Sequence, residues 1–178
     1  DRRDHIAGNA YDPIHPVSGN RYHKYGPHIF HTNDKGIVDY LSQFTDWLDY
    51  RHRVQALLPS GQAVPMPINR TTLISYSGKP LAGEEDVRAY LDSVREPCAS
   101  PDSALQHLIS LYGRGLTALF FGHYTEKMWG LDLAQMPVSV VARLPVRYDD
   151  DPYYFKDTYQ LMPARGYVTL FENMLDHQ

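Results

Sequence analysis

From Asp34 onward the apolar residues Ile37, Leu41, Phe44 and Leu48 recur at three- and four-residue steps, with Tyr40 and Trp47 alongside. That spacing predicts an amphipathic helix with its stripe turned to a core. The period then shortens. Val54, Ala56 and Leu58 alternate with Arg53, Gln55 and Leu57, Pro59-Ser60-Gly61-Gln62 interrupts, and Ala63-Val64 resumes, the pattern of a hairpin. Pro65-Met66-Pro67-Ile68-Asn69 leads into a short helix ending near Gly78. Val87, Tyr90, Leu91 and Val94 place another helix from Glu84, stopped by Pro97. Start signals at Ser100-Pro101-Asp102-Ser103 precede a third, with Leu105, Leu108, Ile109 and Tyr112 on one side and Gly113 as its end. A fourth helical stretch runs from Leu116 to Phe121. Beyond it, β-branched residues around Arg143 and Arg147 predict a strand over 140–148, and Asp149-Asp150-Asp151-Pro152 reads as a turn. Tyr153-Tyr154-Phe155 and Tyr159-Gln160 follow as strand or extended chain, and Gly166 opens a last helix carrying Leu170, Phe171, Met174 and Leu175. The expected fold is mixed α/β, a helical unit over 84–132 beside antiparallel strands, without internal repeats.

Composition narrows the functions open to such a chain. At 178 residues and 43% hydrophobic it can bury a sizeable core. Seventeen basic residues against 21 acidic ones give a net charge of −4, which argues against a protein built to coat nucleic acid, so any anion site must be local. Cys98 is the only cysteine, so no internal disulfide forms and a reducing cytoplasm is the expected compartment. No apolar run approaches the roughly 18 residues of a membrane span, and the start is polar rather than signal-like. Fourteen tyrosines supply flat faces with polar tips, suited equally to half-buried packing and to sugar or base recognition.

Three places concentrate chemistry. In His23-Lys24-Tyr25-Gly26-Pro27-His28-Ile29-Phe30-His31-Thr32-Asn33-Asp34, three histidines and two aromatics surround a Gly-Pro break. Gly26 permits close backbone approach, Pro27 keeps Gly26 out of helical geometry, and Thr32, Asn33 or Asp34 can cap the following helix. His28 and His31 are its chemical candidates. Structural histidines, or a metal held by His23, His28 and His31, are the competing readings, though no acidic helix motif or cysteine pair supports a metal. In Phe120-Phe121-Gly122-His123-Tyr124-Thr125-Glu126-Lys127-Met128-Trp129-Gly130, rings at 120, 124 and 129 are placed either to stack a base or sugar or to fill a core. Third, Arg143 and Arg147 carry planar forks that match paired phosphate oxygens, or else they are solvated charges at a strand edge.

The histidine stretch, Tyr124-Thr125-Glu126-Lys127-Met128-Trp129-Gly130, Leu144-Pro145-Val146-Arg147 and Gly166-Tyr167 together, and in this order, resemble the bacterial UDP-galactopyranose mutases. These are flavoenzymes that interconvert UDP-galactopyranose and UDP-galactofuranose. The resemblance implies FAD, active when reduced: its N5 attacks the anomeric carbon, UDP leaves, and the adduct permits ring opening and reclosure. It implies Asp1 on the ribose, Arg2 beside the adenosine, Gly8 and Asn9 within Ala7-Gly8-Asn9 in place of the family's Gly-Gly-Asn, and His28 against the flavin. For the substrate UDP-galactose it implies Phe120 and Tyr124 on the uridine, Thr125 in the same motif, and Trp129 and Tyr154 on the sugar and phosphates. Arg143 would neutralise the departing diphosphate, while Arg147 supports structure. Arg143 and His28 are thus the candidate catalytic groups, with no metal. The sequence departs from the family at Gly122-His123 and Met128, at His52 where the family has an asparagine, and at Leu161 where it has a glycine. No G-x-G-x-x-G occurs, so the resemblance covers the central half of the family's chain, and the 178 residues alone are expected neither to retain FAD nor to be active. The implied division is a partial Rossmann-like FAD-binding part with hairpin over 1–80, a helical substrate-binding domain over 81–132, and strands with a return helix over 133–178. The sequence leaves the oligomeric state open, a homodimer being one form it allows. A non-catalytic module that binds a nucleotide sugar or a partner is the alternative.

Overall fold

A computed structural model describes residues 2–177 and divides them into two units, one built from both ends of the chain, up to His52 and from Tyr153, the other from Arg53–Pro152. Strands are antiparallel throughout, and the fold is mixed α/β as expected.

In the first unit β5 (Tyr159–Pro163) lies between β1 (Phe30–Thr32) and β2 (Trp47–Asp49), with Phe30 opposite Leu161 and Trp47 opposite Pro163. Across β5 the Phe30 and Trp47 rings stack at 4.9 Å. Helix α1 (Lys35–Leu41) begins where the Asp34 carboxylate accepts the Gly36 N–H at 2.7 Å. It ends well short of the predicted Leu48. Trp47 and Leu48 pair with β5 instead, and the Trp47 indole donates to the Ser42 hydroxyl at 2.9 Å. The stripe is not core either: Ile37 and Tyr40 are exposed, and only Phe44 is buried. Periodicity alone missed this because pairing with a strand more than a hundred residues away overrides it. Helix α6 (Gly166–Asp176) receives its N-terminal cap from equally far: the buried Asp12 carboxylate accepts the Tyr167 and Val168 N–H groups at 2.8 and 2.9 Å.

The second unit holds the main core. The predicted hairpin forms as β3 (Val54–Leu57) and β4 (Ala63–Met66), with Val54 opposite Met66. Asn69 caps α2 (Arg70–Ser77), and Gly78 ends it. Helices α3 (Glu84–Val94) and α4 (Ala104–Thr117) bury Val87, Leu91, Leu108, Tyr112 and Leu116 against Val64, Ile68 and Leu73. At ~1.5–3 kcal/mol per buried large apolar side chain, this cluster is the chief source of cohesion.

Two expectations fail here. Gly113 does not end α4; it kinks it, with φ 76° and ψ 167°, and the chain runs on through a π-helical turn (Ala118–Gly122) into α5 (His123–Trp129). A Cβ at Gly113 would stand 2.2 Å from the Val94 carbonyl oxygen, so glycine is what allows α4 to meet the end of α3. The strand expected over 140–148 is absent. Val138–Val140 forms a 3-10 turn and irregular chain follows. Pro137 and Pro145 have no N–H to give a ladder, and the alternating Leu144, Val146 and Tyr148 pack on the core cluster instead of on a partner strand. Among the described residues no helix is long and apolar enough to cross a membrane.

Gly113→Ala is therefore expected to destabilise the chain by about 2–4 kcal/mol, combining a disfavoured φ with backbone overlap. A urea titration reads this as a lower midpoint, and an unchanged midpoint would contradict the role given to the kink.

Candidate functional site

Within the first unit the histidine stretch resolves into two environments, one shared by His23 and His28 and one around His31. Gly26, at φ 100°, makes the turn, and its carbonyl lies 2.9 Å from His28 Nδ1. The His28 backbone N–H donates to His23 Nδ1 at 3.1 Å, and the two rings lie parallel with centroids 6.4 Å apart. Burial holds the His23 imidazole below its ordinary pKa, against the pull of Asp12 and with a small push from His28. His31 is turned elsewhere: its Nδ1 pairs with Asp157 at 2.7 Å, and its ring stacks on Phe155 at 3.8 Å. Asn33 donates to the same carboxylate at 2.8 Å and accepts the Thr158 N–H at 2.8 Å. Sequence reasoning missed this His31–Asp157–Asn33 group, and no local signal announces a partner so distant. Among the described residues no three of His, Cys, Asp and Glu are grouped to hold a metal.

The start of the chain gathers cations on aromatic faces. The Arg3 guanidinium lies 4.3 Å over the Tyr25 ring and donates to Asn9 at 2.6 Å, while Lys24 sits 5.6 Å from Tyr25 and 5.7 Å from Tyr11. His5 stacks on Tyr11 at 3.7 Å. Ala7 and Gly8 are both left-handed, at φ 68° and 51°, and open the short turn Gly8–Ala10. Arg2 is exposed, and Asp1 lies outside the described residues. Tyr154 is half-buried in the same unit; its N–H donates to the His52 carbonyl at 2.8 Å, and its ring meets His52 and Phe155 edge-on. His52, in the family's asparagine position, is 3.3 Å from the Tyr50 hydroxyl, and burial lowers its pKa.

In the second unit the aromatic segment is helical, and its rings divide between two media. Phe120 and Phe121 are buried in the core, as is Thr125, whereas Tyr124 is 67% and Trp129 61% exposed. Rings of that size left in solvent offer faces to a flat ligand, and the buried pair beneath fixes the helix that carries them. Arg143 is exposed. Its segment is held to the core by the Tyr112 hydroxyl, which donates to the Pro145 carbonyl at 2.8 Å and whose pKa burial raises. Arg147 is buried and donates to the Asp151 carbonyl at 3.2 Å. Of the two arginines, one is left in solvent and the other is built into the chain's own packing.

Exposed aromatic rings and an exposed guanidinium are residue types suited to a nucleotide, and the similarity of the chain to known proteins is to mutases of nucleotide sugars. The family model described as UDP-galactopyranose mutase matches residues 119–178, the stretch that holds Tyr124, Trp129, Arg143 and Tyr154. Over its whole length the chain is 37% identical to a probable UDP-galactopyranose mutase of Klebsiella pneumoniae, covering 46% of that protein. It is 33% identical, over 99% of its length, to a dTDP-fucopyranose mutase of Escherichia coli, covering 47% of it. To the UDP-galactopyranose mutase of Mycoplasma pneumoniae it is 27% identical, again over 99% of its length and 45% of the relative. The chain spans about half the length of the curated relatives it matches, and the resemblance carried by the motifs is borne out.

The His23 environment generates a pH dependence. Because burial depresses its pKa in the folded state, the unfolded chain takes up the proton first as pH falls through the ordinary histidine value of about 6.5. The stability tied to neutral His23 is complete above that value and is lost on acidification, with His52 acting in the same direction. Denaturant midpoints measured between roughly pH 7.5 and 5.5 should fall, and fall less in His23→Gln, which keeps an acceptor without the titration. Identical slopes in both proteins would remove His23 from the account.

Proposed function

We propose that this chain is part of a UDP-galactopyranose mutase, an isomerase, and that its second unit supplies uridine nucleotide recognition. The observation that carries the reading is the exposure of Tyr124 and Trp129 on a helix locked from beneath by Phe120 and Phe121, within the stretch that the mutase family model matches. Tyr124, backed by Phe120 and Thr125, holds the uridine, and Trp129 covers the sugar. Arg143 meets the diphosphate with charge-assisted hydrogen bonds that strengthen as the leaving group gains charge. Tyr154 keeps the phosphate-binding role that the resemblance implies for it. The substrate-binding role falls on the helical stretch 81–132.

To the first unit we assign a partial, Rossmann-like FAD-binding role. The residues there fit such a group in kind: Gly8 leaves open space where a side chain would stand, and Arg3 and Lys24 bring positive charge to aromatic faces. Arg2, Gly8 and Asn9 would hold the nucleotide end and His28 would lie against the flavin. Reduced FAD, when bound, supplies the nucleophile for the exchange between the pyranose and furanose forms. The protein's share is to bind, orient and stabilise charge. This reading places the protein in the cytoplasm.

The similarity to a dTDP-fucopyranose mutase favours a second reading, in which the same rings take a thymine nucleotide. The two bases differ by one methyl group, worth only about 1–3 kcal/mol in a pocket, and the nucleotides also by the 2′-hydroxyl, so comparing UDP, dUDP and dTDP decides between them.

In a Trp47→Phe background, UDP should change Trp129 emission saturably, with a dissociation constant on the order of a millimolar, and the change should vanish in Tyr124→Ala. No change up to tens of millimolar in a folded chain would remove the binding role from these rings. Arg143→Ala should weaken UDP binding about ten- to a hundredfold without moving the unfolding midpoint, whereas Arg147→Ala should lower the midpoint. Equal UDP affinity in Arg143→Ala and the parent chain would show that the diphosphate is held elsewhere.

A further inference from the structure

The second unit contains another cleft, of about 360 Å³, bounded by α4, the π-helical turn, the start of α5 and the residues after it. Neither Tyr124 nor Trp129 lines it. Its floor is apolar, with Ile109 and Leu133, while Glu126, Asp132 and His123 stand on its walls. At its base is Thr117, whose hydroxyl oxygen is fully buried and has no hydrogen-bond partner. The orphan has a structural cause. A helical threonine ordinarily bonds back to the carbonyl four residues earlier, and here that residue is Gly113, where the kink takes the backbone out of helical geometry. A buried hydroxyl left unpaired costs stability unless something bonds to it, and π-helical turns are frequent at functional positions.

The charge of the cleft selects the ligand. Glu126 and Asp132 are its anionic groups, and Arg114 at the rim is already neutralised by Glu96 through paired bonds of 2.6 and 2.7 Å. An anion would meet the exposed Glu126 carboxylate and that of Asp132, one oxygen of which already accepts the Ala134 N–H at 2.7 Å; a purely apolar molecule would leave the hydroxyl and Glu126 unused. We propose that this cleft is a binding site for a small organic cation with an apolar stem, an alkylammonium or alkylguanidinium, its charged end on Glu126 and Asp132 and an N–H donated to the Thr117 hydroxyl. The volume is that of a small-molecule pocket. The inference stands apart from the nucleotide reading, since no residue named for the nucleotide takes part in it.

Agmatine, with a four-carbon stem, is a direct probe, and the neutral 1,5-pentanediol is its control. Titrated into the full chain and followed by methyl NMR, agmatine should shift the Thr117, Ile109 and Leu133 signals saturably, with a dissociation constant on the order of a millimolar. Pentanediol should bind at least about tenfold more weakly, and Glu126→Gln should cost agmatine about tenfold. Thr117→Val separates a ligand-binding hydroxyl from a structural one: affinity should fall about fivefold while the thermal midpoint stays or rises, because an unpaired buried group has been removed. Shifts that do not saturate, equal binding of the diol, or a lowered midpoint with unchanged affinity in Thr117→Val would each overturn the proposal.

Discussion

The second unit depends on one close approach. At Gly113 the backbone of α4 comes so near the end of α3 that the Val94 carbonyl occupies the space a side chain would need. Much follows from that contact. α4 continues past the kink rather than stopping, so Leu116, Phe120 and Phe121 reach the core from a redirected axis. The register then passes through a π-helical turn, and α5 emerges with Tyr124 and Trp129 in solvent while Thr125 remains inside. The same kink strands the Thr117 hydroxyl. A shape forced by backbone sterics thus sets which rings are structural and which are available.

The first unit is tied by polar groups more than by apolar bulk. Asp12 caps α6, Asn173 donates to the Phe44 carbonyl at 2.7 Å, and His31 and Asn33 share the Asp157 carboxylate. Each link joins the early part of the chain to its last thirty or so residues. Hydrogen bonds to charged partners are worth about 1.5–3 kcal/mol apiece and neutral ones about 0.5–1.5, so a few of them hold a small sheet whose apolar burial is modest. The arrangement also gives the histidine stretch fixed orientations, with neutral His23 required as an acceptor on one side and His31 anchored on the other.

What could be read from the sequence was local. Helices α2, α3 and α6 lie where their apolar period and their bounding glycines and prolines put them, and the hairpin forms across Pro59–Gln62, because these signals lie within a few positions of one another; only the Asp12 cap of α6 comes from a distance. What escaped was set at a distance. The run from Ile37 to Leu48 has helical spacing, yet β5 claims its second half; the 140–148 segment has strand composition, yet its prolines and the core claim it as irregular chain. Gly113 looked like a terminator because nothing in sequence tells a C-cap from a kink that needs room for the Val94 carbonyl. For the site, the kinds of residue were legible and their exposure was not: Phe120 and Tyr124 look alike in a motif, and only packing sends one inward.

The central claim is that rings on α5 bind the nucleotide of a sugar nucleotide. Saturation-transfer NMR with UDP-galactose on the purified chain tests it most directly, because it reports which ligand protons touch protein. The account predicts transfer to the uracil H5 and H6 protons, strongly reduced in a folded Tyr124→Ala, Trp129→Ala double variant. Transfer that is absent in the parent chain, or undiminished in the double variant, would contradict it.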